Sequence, residues 1–309
     1  MLESNLNTSR LVGCEYECYL AVTAGTQIDT MQTIVNVLSA NGIPAACRGY
    51  SHAPIPPGID MMIETDSSIR PESRFATISH VSIEAKTRPM TIVEFERIAP
   101  KTLDILKYLG CRVNASTGHH VHVGVPEVRQ NCHHIRSLWN LMGRYSPVLF
   151  SLVSESRKAN SFCKPMPEVT KLLHGCRHIE CYKRILSQYD RYMAVNFTRI
   201  FEDGNERLEF RQHGGTLSAE KSRMWIRLLV RMVDHAIARS CQASPIQISG
   251  TKAGLNKMLV TCGLKVNSRV YSTVSKENRE CGRWLLKRFN QLNRTGTDDS
   301  TPHSYSESE

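Results

Sequence analysis

The chain has 309 residues, 41% hydrophobic and 22% charged, a soluble globular profile that excludes fibrous and wholly disordered classes and allows one elaborated domain or two. Thirty-nine Lys and Arg against twenty-nine Asp and Glu give a formal charge of +10; the last fifteen residues hold four acids and no Lys or Arg, so the body before them carries +14. Such a body attracts polyanions, whether nucleic acid, a phosphorylated ligand or an anionic polymer. No apolar run approaches the ~20 residues that span a bilayer, which excludes an integral membrane protein. Residues 1–10 lack a secretory leader pattern, and eleven cysteines without repeated spacing read as reduced thiols in a cytoplasmic protein.

In chain order, Leu11 to Val22 alternates as a strand, with Val12, Cys14, Tyr16, Cys18 and Leu20 on one face and Gly13, Glu15, Glu17 and Tyr19 on the other. Met31, Ile34, Val35 and Leu38 mark a helix over 28–40 that ends at Asn41-Gly42. Prolines 54, 56 and 57 form a loop before a short strand at 59–65, and 80–86 reads as another strand. Thr91 and Glu94 have capping-box spacing and open a helix towards Gly110, with a kink expected at Pro100.

The strand pattern resumes over 111–125, where Val121, Val123 and Val125 lie opposite His120, His122 and Gly124. Residues 131–149 have helical period. Residues 194–212 read as a hairpin turning at Asp203-Gly204-Asn205, with Arg207, Glu209 and Arg211 on one side of its second arm and Leu208 and Phe210 on the other. Ser218 caps a helix striped by Trp225, Leu228, Leu229, Met232 and Ala236, a last helix covers 276–293, and the Ser/Thr/Asp-rich end is expected to be disordered.

Three strands thus share one feature: an apolar face opposite a face bearing Glu15 with Glu17, His120 with His122, or Glu209 with Arg211. Glu84 adds a fourth acid. If the strands lie in one sheet these carboxylates converge, and like charges raise one another's pKa unless a cation neutralises them. Hard oxygen ligands with one or two imidazoles suit Mg²⁺ or Mn²⁺ more than Zn²⁺, and Arg211 is placed to stabilise a phosphoryl group. There is neither a Walker A pattern nor a GxGxxG, so a phosphate site would be carried by the sheet.

Other readings stay open at this level. Glu15 and Glu17 alone fit a solvated strand face equally well, and an isolated His-x-His is incidental or suggests zinc, which keeps a zinc hydrolase in view. His174, Cys176, His178 and Cys181 could in principle hold a structural zinc, although no Cys-x-x-Cys pair is present. Cys163 lies in a Ser/Lys/Pro loop with no base beside it. Arg223, Arg227, Arg231, Lys287 and Arg288 recur at helical spacing and are read as solvated faces, and no recognition helix, RNP aromatics or zinc finger supports nucleic-acid binding.

Five segments in order resemble the amidoligase family, part of the carboxylate-amine ligases with a glutamine synthetase-like fold. They are Gly13-Cys14-Glu15-Tyr16-Glu17, Asp66-Ser67-Ser68-Ile69, Glu84-Ala85-Lys86-Thr87-Arg88-Pro89, Gly118-His119-His120-Val121-His122-Val123-Gly124, and Glu209-Phe210-Arg211-Gln212-His213-Gly214-Gly215-Thr216-Leu217. The resemblance implies an α+β fold: an antiparallel sheet with a concave metal- and ATP-binding face and helices behind it. It implies one catalytic domain over 11–293, flanked by an N-terminal extension, 1–10, and an acidic tail, 294–309. The implied reaction is ATP-dependent phosphorylation of a carboxylate, then amide formation by an amine, with Mg²⁺ or Mn²⁺ bridging the phosphates.

By position, Glu15, Glu17, Glu84, His120 and Glu209 look like metal ligands. His122 and Arg211 look like phosphate contacts and, with Glu209, like the catalytic set. Arg88 is assigned to nucleotide, and Asp66 and Asn196 to substrate. The implied partners are a small-molecule or peptide carboxylate and an amine, with oligomeric state open. The sequence departs from the family pattern at His119, where an apolar or small residue is usual, at Ala85-Lys86 in place of an aliphatic pair, and in lacking a Trp before Asp66.

Overall fold

A computed structural model of the chain describes residues 7, 9–22, 25–51, 53–71, 79–167, 170–239, 246–265 and 274–294. The tail beyond Arg294, and the N-terminal extension apart from residues 7, 9 and 10, lie outside the described residues. The strands are β1 (Leu11–Ala21), β2 (Ala45–Arg48), β3 (Met61–Thr65), β4 (His80–Thr87), β5 (Met90–Thr91), β6 (Gly118–Gly124), β7 (Val195–Asn196) and β8 (Arg207–Gly214). The longer helices are α1 (Gln27–Ala40), α2 (Ile92–Tyr108), α4 (His133–Phe150), α8 (Ala219–Arg239), α9 (Lys252–Thr261) and α10 (Lys276–Leu292). Four shorter ones are α3 (Glu127–Gln130), α5 (Glu155–Lys158), α6 (Thr170–His174) and α7 (Ile179–Leu186).

The strands form one sheet in the order β2-β3-β4-β1-β6-β8-β7, with β5 on β1. The sheet is mostly antiparallel, as expected, with one parallel pair, β2 with β3. The strand expected over 111–125 is pared to β6, with Arg112 making only an isolated bridge to Tyr19. In the 194–212 hairpin the first arm is two residues long, followed by a 3₁₀ turn at Thr198–Phe201.

Alternation of apolar and titratable residues decides which face is buried. Val12, Cys14, Tyr16 and Cys18 of β1, Val81, Ile83 and Ala85 of β4, Val121 and Val123 of β6, and Leu208 and Phe210 of β8 enter one core with the stripes of α1, α2, α4 and α8. The capping box of α2 forms: Thr91 Oγ1 accepts from Glu94 N at 3.3 Å while Glu94 accepts from Thr91 N at 2.8 Å. Gly42, at φ +76°, ends α1.

The basic residues of α8 are not simply a solvated face. Arg227 is buried against Glu96 of α2, and buried Arg231 donates from Nε to the Cys262 carbonyl at 2.9 Å. Arg10, assigned by sequence to the extension, is 6% exposed and bonded to Asp234 and Glu127. No helix among the described residues is long and apolar enough to cross a membrane.

Leu103 of α2 is completely buried in this core. Leu103→Ala should lower the unfolding free energy by about 3 kcal/mol, the usual order for a fully buried leucine. Urea denaturation checks this.

Candidate active site

Register across the sheet, more than any one strand, builds the site. Glu64, Glu84 and Glu17 stand opposite one another on β3, β4 and β1. One step along, Lys86 faces Glu15, which faces His120; next to them His122 faces Glu209, which faces Asn196. Because side chains alternate, these residues share the face opposite the core and line a cavity of about 340 Å³, with Glu64 the exception behind Lys86. Asp66, just past β3, completes the acidic wall.

Three groups could each hold a cation, with ligand atoms within 4.8 Å of one another: Glu15, His122 and Glu209; Glu15, Glu84 and His120; and Glu17, Asp66 and Glu84. Glu15 joins the imidazoles, its Oε2 lying 3.0 Å from His120 Nδ1 and its Oε1 3.1 Å from His122 Nε2. Among the described residues no such group contains both imidazoles, so the geometry lends nothing to a His-x-His zinc site. The other sequence candidate does not assemble either: Cys176 and Cys181 sulfurs are 2.8 Å apart, but no ligand group includes them, His174 or His178. Cys163 is buried, which pushes its thiol up to about 11 and removes it as a nucleophile.

Each ligand is held by a specific neighbour. Glu17 Oε2 accepts from the Gly118 backbone N–H at 2.6 Å; a Cβ on Gly118 would fall 2.7 Å from His120 Nε2 and push that imidazole from its place. Asn196 donates to Glu209 Oε2 at 2.8 Å, which gives it an orienting contact with a ligand beside any contact with substrate. Arg211 pairs with Glu209 from the other side and donates from Nε to the Phe162 carbonyl at 3.1 Å. Asp66 Oδ1 accepts from Ser68 N at 2.7 Å.

A bulge follows Glu209 and Phe210 on β8. His119 faces His213 and Val121 faces Phe210, so Arg211 and Gln212 together oppose His120. Strict alternation from Arg207 would put His213 on the polar face. The bulge returns it to the core, where it meets His119 edge to ring and Trp225 at a tilt. His119 belongs to the same layer: it stacks on Tyr16 at 4.6 Å and bonds Ser222 on α8 at 3.1 Å.

A family described as "Putative amidoligase enzyme" matches residues 9–233, nearly three quarters of the chain. The chain belongs to this family. Among solved structures it is similar to the ligase in "the complex between Prokaryotic Ubiquitin-like Protein Pup and its Ligase PafA", at 11% identity and a TM-score of 0.38. The likeness covers 94% of this chain and 64% of that one, so this amidoligase-family chain spans less than two thirds of that protein. No curated protein matches the chain.

Of the residues expected from sequence, Glu15, Glu17, Asp66, Glu84, His120, His122, Asn196, Glu209 and Arg211 line the cavity. Arg88 does not: its guanidinium bonds Asp60 at 2.7 Å and Glu94 at 2.8 Å, fastening the end of β4 to the start of α2 away from the other expected residues. Sequence reasoning missed Tyr50, Phe162, Arg191, Tyr192 and Arg199 at the rim, and passed over Lys86 and Arg207 within the site. Arg207, alternating with Glu209 and Arg211, and Lys86, two residues from Glu84 in the 80–86 strand, carried a signal in the pattern.

Burial, then the charge of Glu15, pushes the Glu84 carboxyl up to about 9 against the pull of Lys86. Burial would raise Glu15 too, but charge on His122 and hydrogen bonds from His120 and His122 outweigh it and hold Glu15 well below the usual range. An acid whose folded pKa is raised gives stability that is present at low pH and lost as pH climbs through the folded value. With chelator present, stability should therefore fall as pH rises from about 4.5 to 9, and Glu84→Gln should flatten that slope. Urea unfolding across this range checks it; an unchanged slope in the variant would place the charge elsewhere.

Proposed function

We propose that the chain is an ATP-dependent carboxylate-amine ligase with a glutamine synthetase-like active site, joining a small-molecule or peptide carboxylate to an amine through an acyl phosphate. The observation that carries the reading is the convergence of Glu15, Glu17, Glu84, Glu209, His120 and His122 on one sheet face, in a chain of amidoligase family. The donor set fits the cofactor it calls for. Each group offers carboxylate oxygens with at most one imidazole and no thiolate, which suits Mg²⁺ or Mn²⁺, and crowded acids such as Glu84 need a cation to ionise together.

In this reading Glu15, Glu17, Glu84, His120 and Glu209 hold divalent ions, which when bound screen the charge of nucleotide phosphates. The chain's own part is preorganisation. Asn196 and Arg211 fix Glu209 from two sides, Gly118 N–H fixes Glu17, and Glu15 fixes both imidazoles, so little reorganisation remains when substrates arrive. Arg211, held at its Nε by the Phe162 carbonyl, turns its fork to the cavity and supports negative charge on the phosphoryl group in transfer. His122 lines the cavity beside Glu15 and in this reading meets a phosphate oxygen there. The rim of Arg191, Arg199 and Arg207 adds the positive field that gathers anionic substrates.

The test joins calorimetric titration with ATP, with and without Mg²⁺, to hydroxylamine trapping across a panel of carboxylates. We expect Mg²⁺-dependent ATP binding and hydroxamate formation that falls roughly 100-fold or more in folded Glu209→Gln, which loses a ligand charge and little volume. Absence of ATP binding by folded protein, or full activity in the variant, contradicts the reading.

A further inference from the structure

Lys86 sits inside the ligand cluster. Its side chain is 19% exposed, its Nζ is 2.6 Å from Glu84 Oε2 and 3.0 Å from Glu64 Oε2, and it lines the cavity beside Glu15. Glu64 is fully buried and already bonded to Arg48, whose Nε lies 2.7 Å from its Oε1. Arg48, Glu64, Lys86 and Glu84 thus alternate in sign across β2, β3 and β4, and with Glu64 neutralised by Arg48 the charge of Lys86 falls to Glu84.

Glu84 belongs to the group it forms with Glu17 and Asp66. Among the ion pairs of the described residues, Glu17 meets only the His120 imidazole, at 3.5 Å, and Asp66 meets no cation. Lys86 is the ammonium on Glu84, the ligand this group shares with that of Glu15, Glu84 and His120, whereas the group of Glu15, His122 and Glu209 depends on imidazole and on Arg211. An ammonium held that close to a carboxylate oxygen repels a divalent ion from the same ligands.

We propose that Lys86 is a built-in cation of the centre: its ammonium stands on Glu84 where a divalent ion would otherwise bind, confining divalent ions to the group of Glu15, His122 and Glu209. The inference rests on the metal-centre reading above and narrows it: Glu17 and Glu84, assigned there to divalent ions, bind none while the ammonium is in place. It makes the number of bound ions smaller than the number of ligand groups. No covalent chemistry is required of Lys86.

Counting Mn²⁺ on the full chain by electron paramagnetic resonance, without nucleotide, tests it. Lys86→Met should bind one more Mn²⁺ per chain than the unsubstituted protein, with an affinity at the added site raised roughly tenfold or more by loss of a nearby unit charge. Lys86→Arg should keep the original number. An equal number on folded Lys86→Met overturns the inference. Should that variant fail to fold, Asp66→Asn in the otherwise unsubstituted chain decides: an unchanged Mn²⁺ number supports the inference, and loss of one ion overturns it. If the unsubstituted protein binds no Mn²⁺, the metal-centre reading falls with it; bound Mn²⁺ with no gain in Lys86→Met overturns the role of Lys86 alone.

Discussion

Like charges in a space that water only partly reaches are the constraint around which this protein is built. Five carboxylates line one cavity, and two of the three ligand groups share Glu15 while two share Glu84. Such a cluster is costly in a folded chain unless each oxygen finds a donor or a cation. The structure meets that demand residue by residue: Gly118 N–H on Glu17, imidazoles on Glu15, Lys86 on Glu84, and Asn196 with Arg211 on Glu209. What remains unmet is an excess of negative charge that divalent cations are suited to neutralise.

Holding those donors in place needs a sheet that does not slip. A one-residue shift of β1 would turn Glu15 and Glu17 into the core and expose Tyr16 and Cys14. The packed helices forbid it, because Tyr16 is tied to Ser222 on α8 at 2.9 Å and Val12, Cys14 and Cys18 are sealed in the core. The bulge at Arg211 and Gln212 works on the same principle: Arg211 keeps the cavity face by alternation, and past it His213 rejoins His119 behind the sheet. The layer behind the site thus contains polar side chains, bonded among themselves, that join β1, β6 and α8.

Much of this was legible in sequence because it is periodic. Two-residue alternation exposed the polar faces of β1, β6 and β8, and capping spacing marked the start of α2. What was not legible depends on pairing between distant segments. β2 has four half-buried residues without alternation, and its parallel partner β3 is set by the fold of the loop between them. Strict alternation has no means of announcing the bulge, so His213 was invisible as a core residue. Arg88 lies in a segment that resembles the family motif, yet its donors turn to Asp60 and Glu94; Lys86, noted only as a departure, meets the cluster because β3 brings Glu64 beside it. The rim residues Tyr50, Arg191 and Tyr192 come from loops, where sequence pattern carries no geometry.

The location of the cation decides the account most directly. Crystals of the protein soaked in Mn²⁺ should give an anomalous scattering peak among the side chains of Glu15, His122 and Glu209, within coordination distance of their ligand atoms. A peak only at other sites, or no peak in well-ordered crystals at saturating Mn²⁺, would contradict the claim that this sheet face is a metal centre.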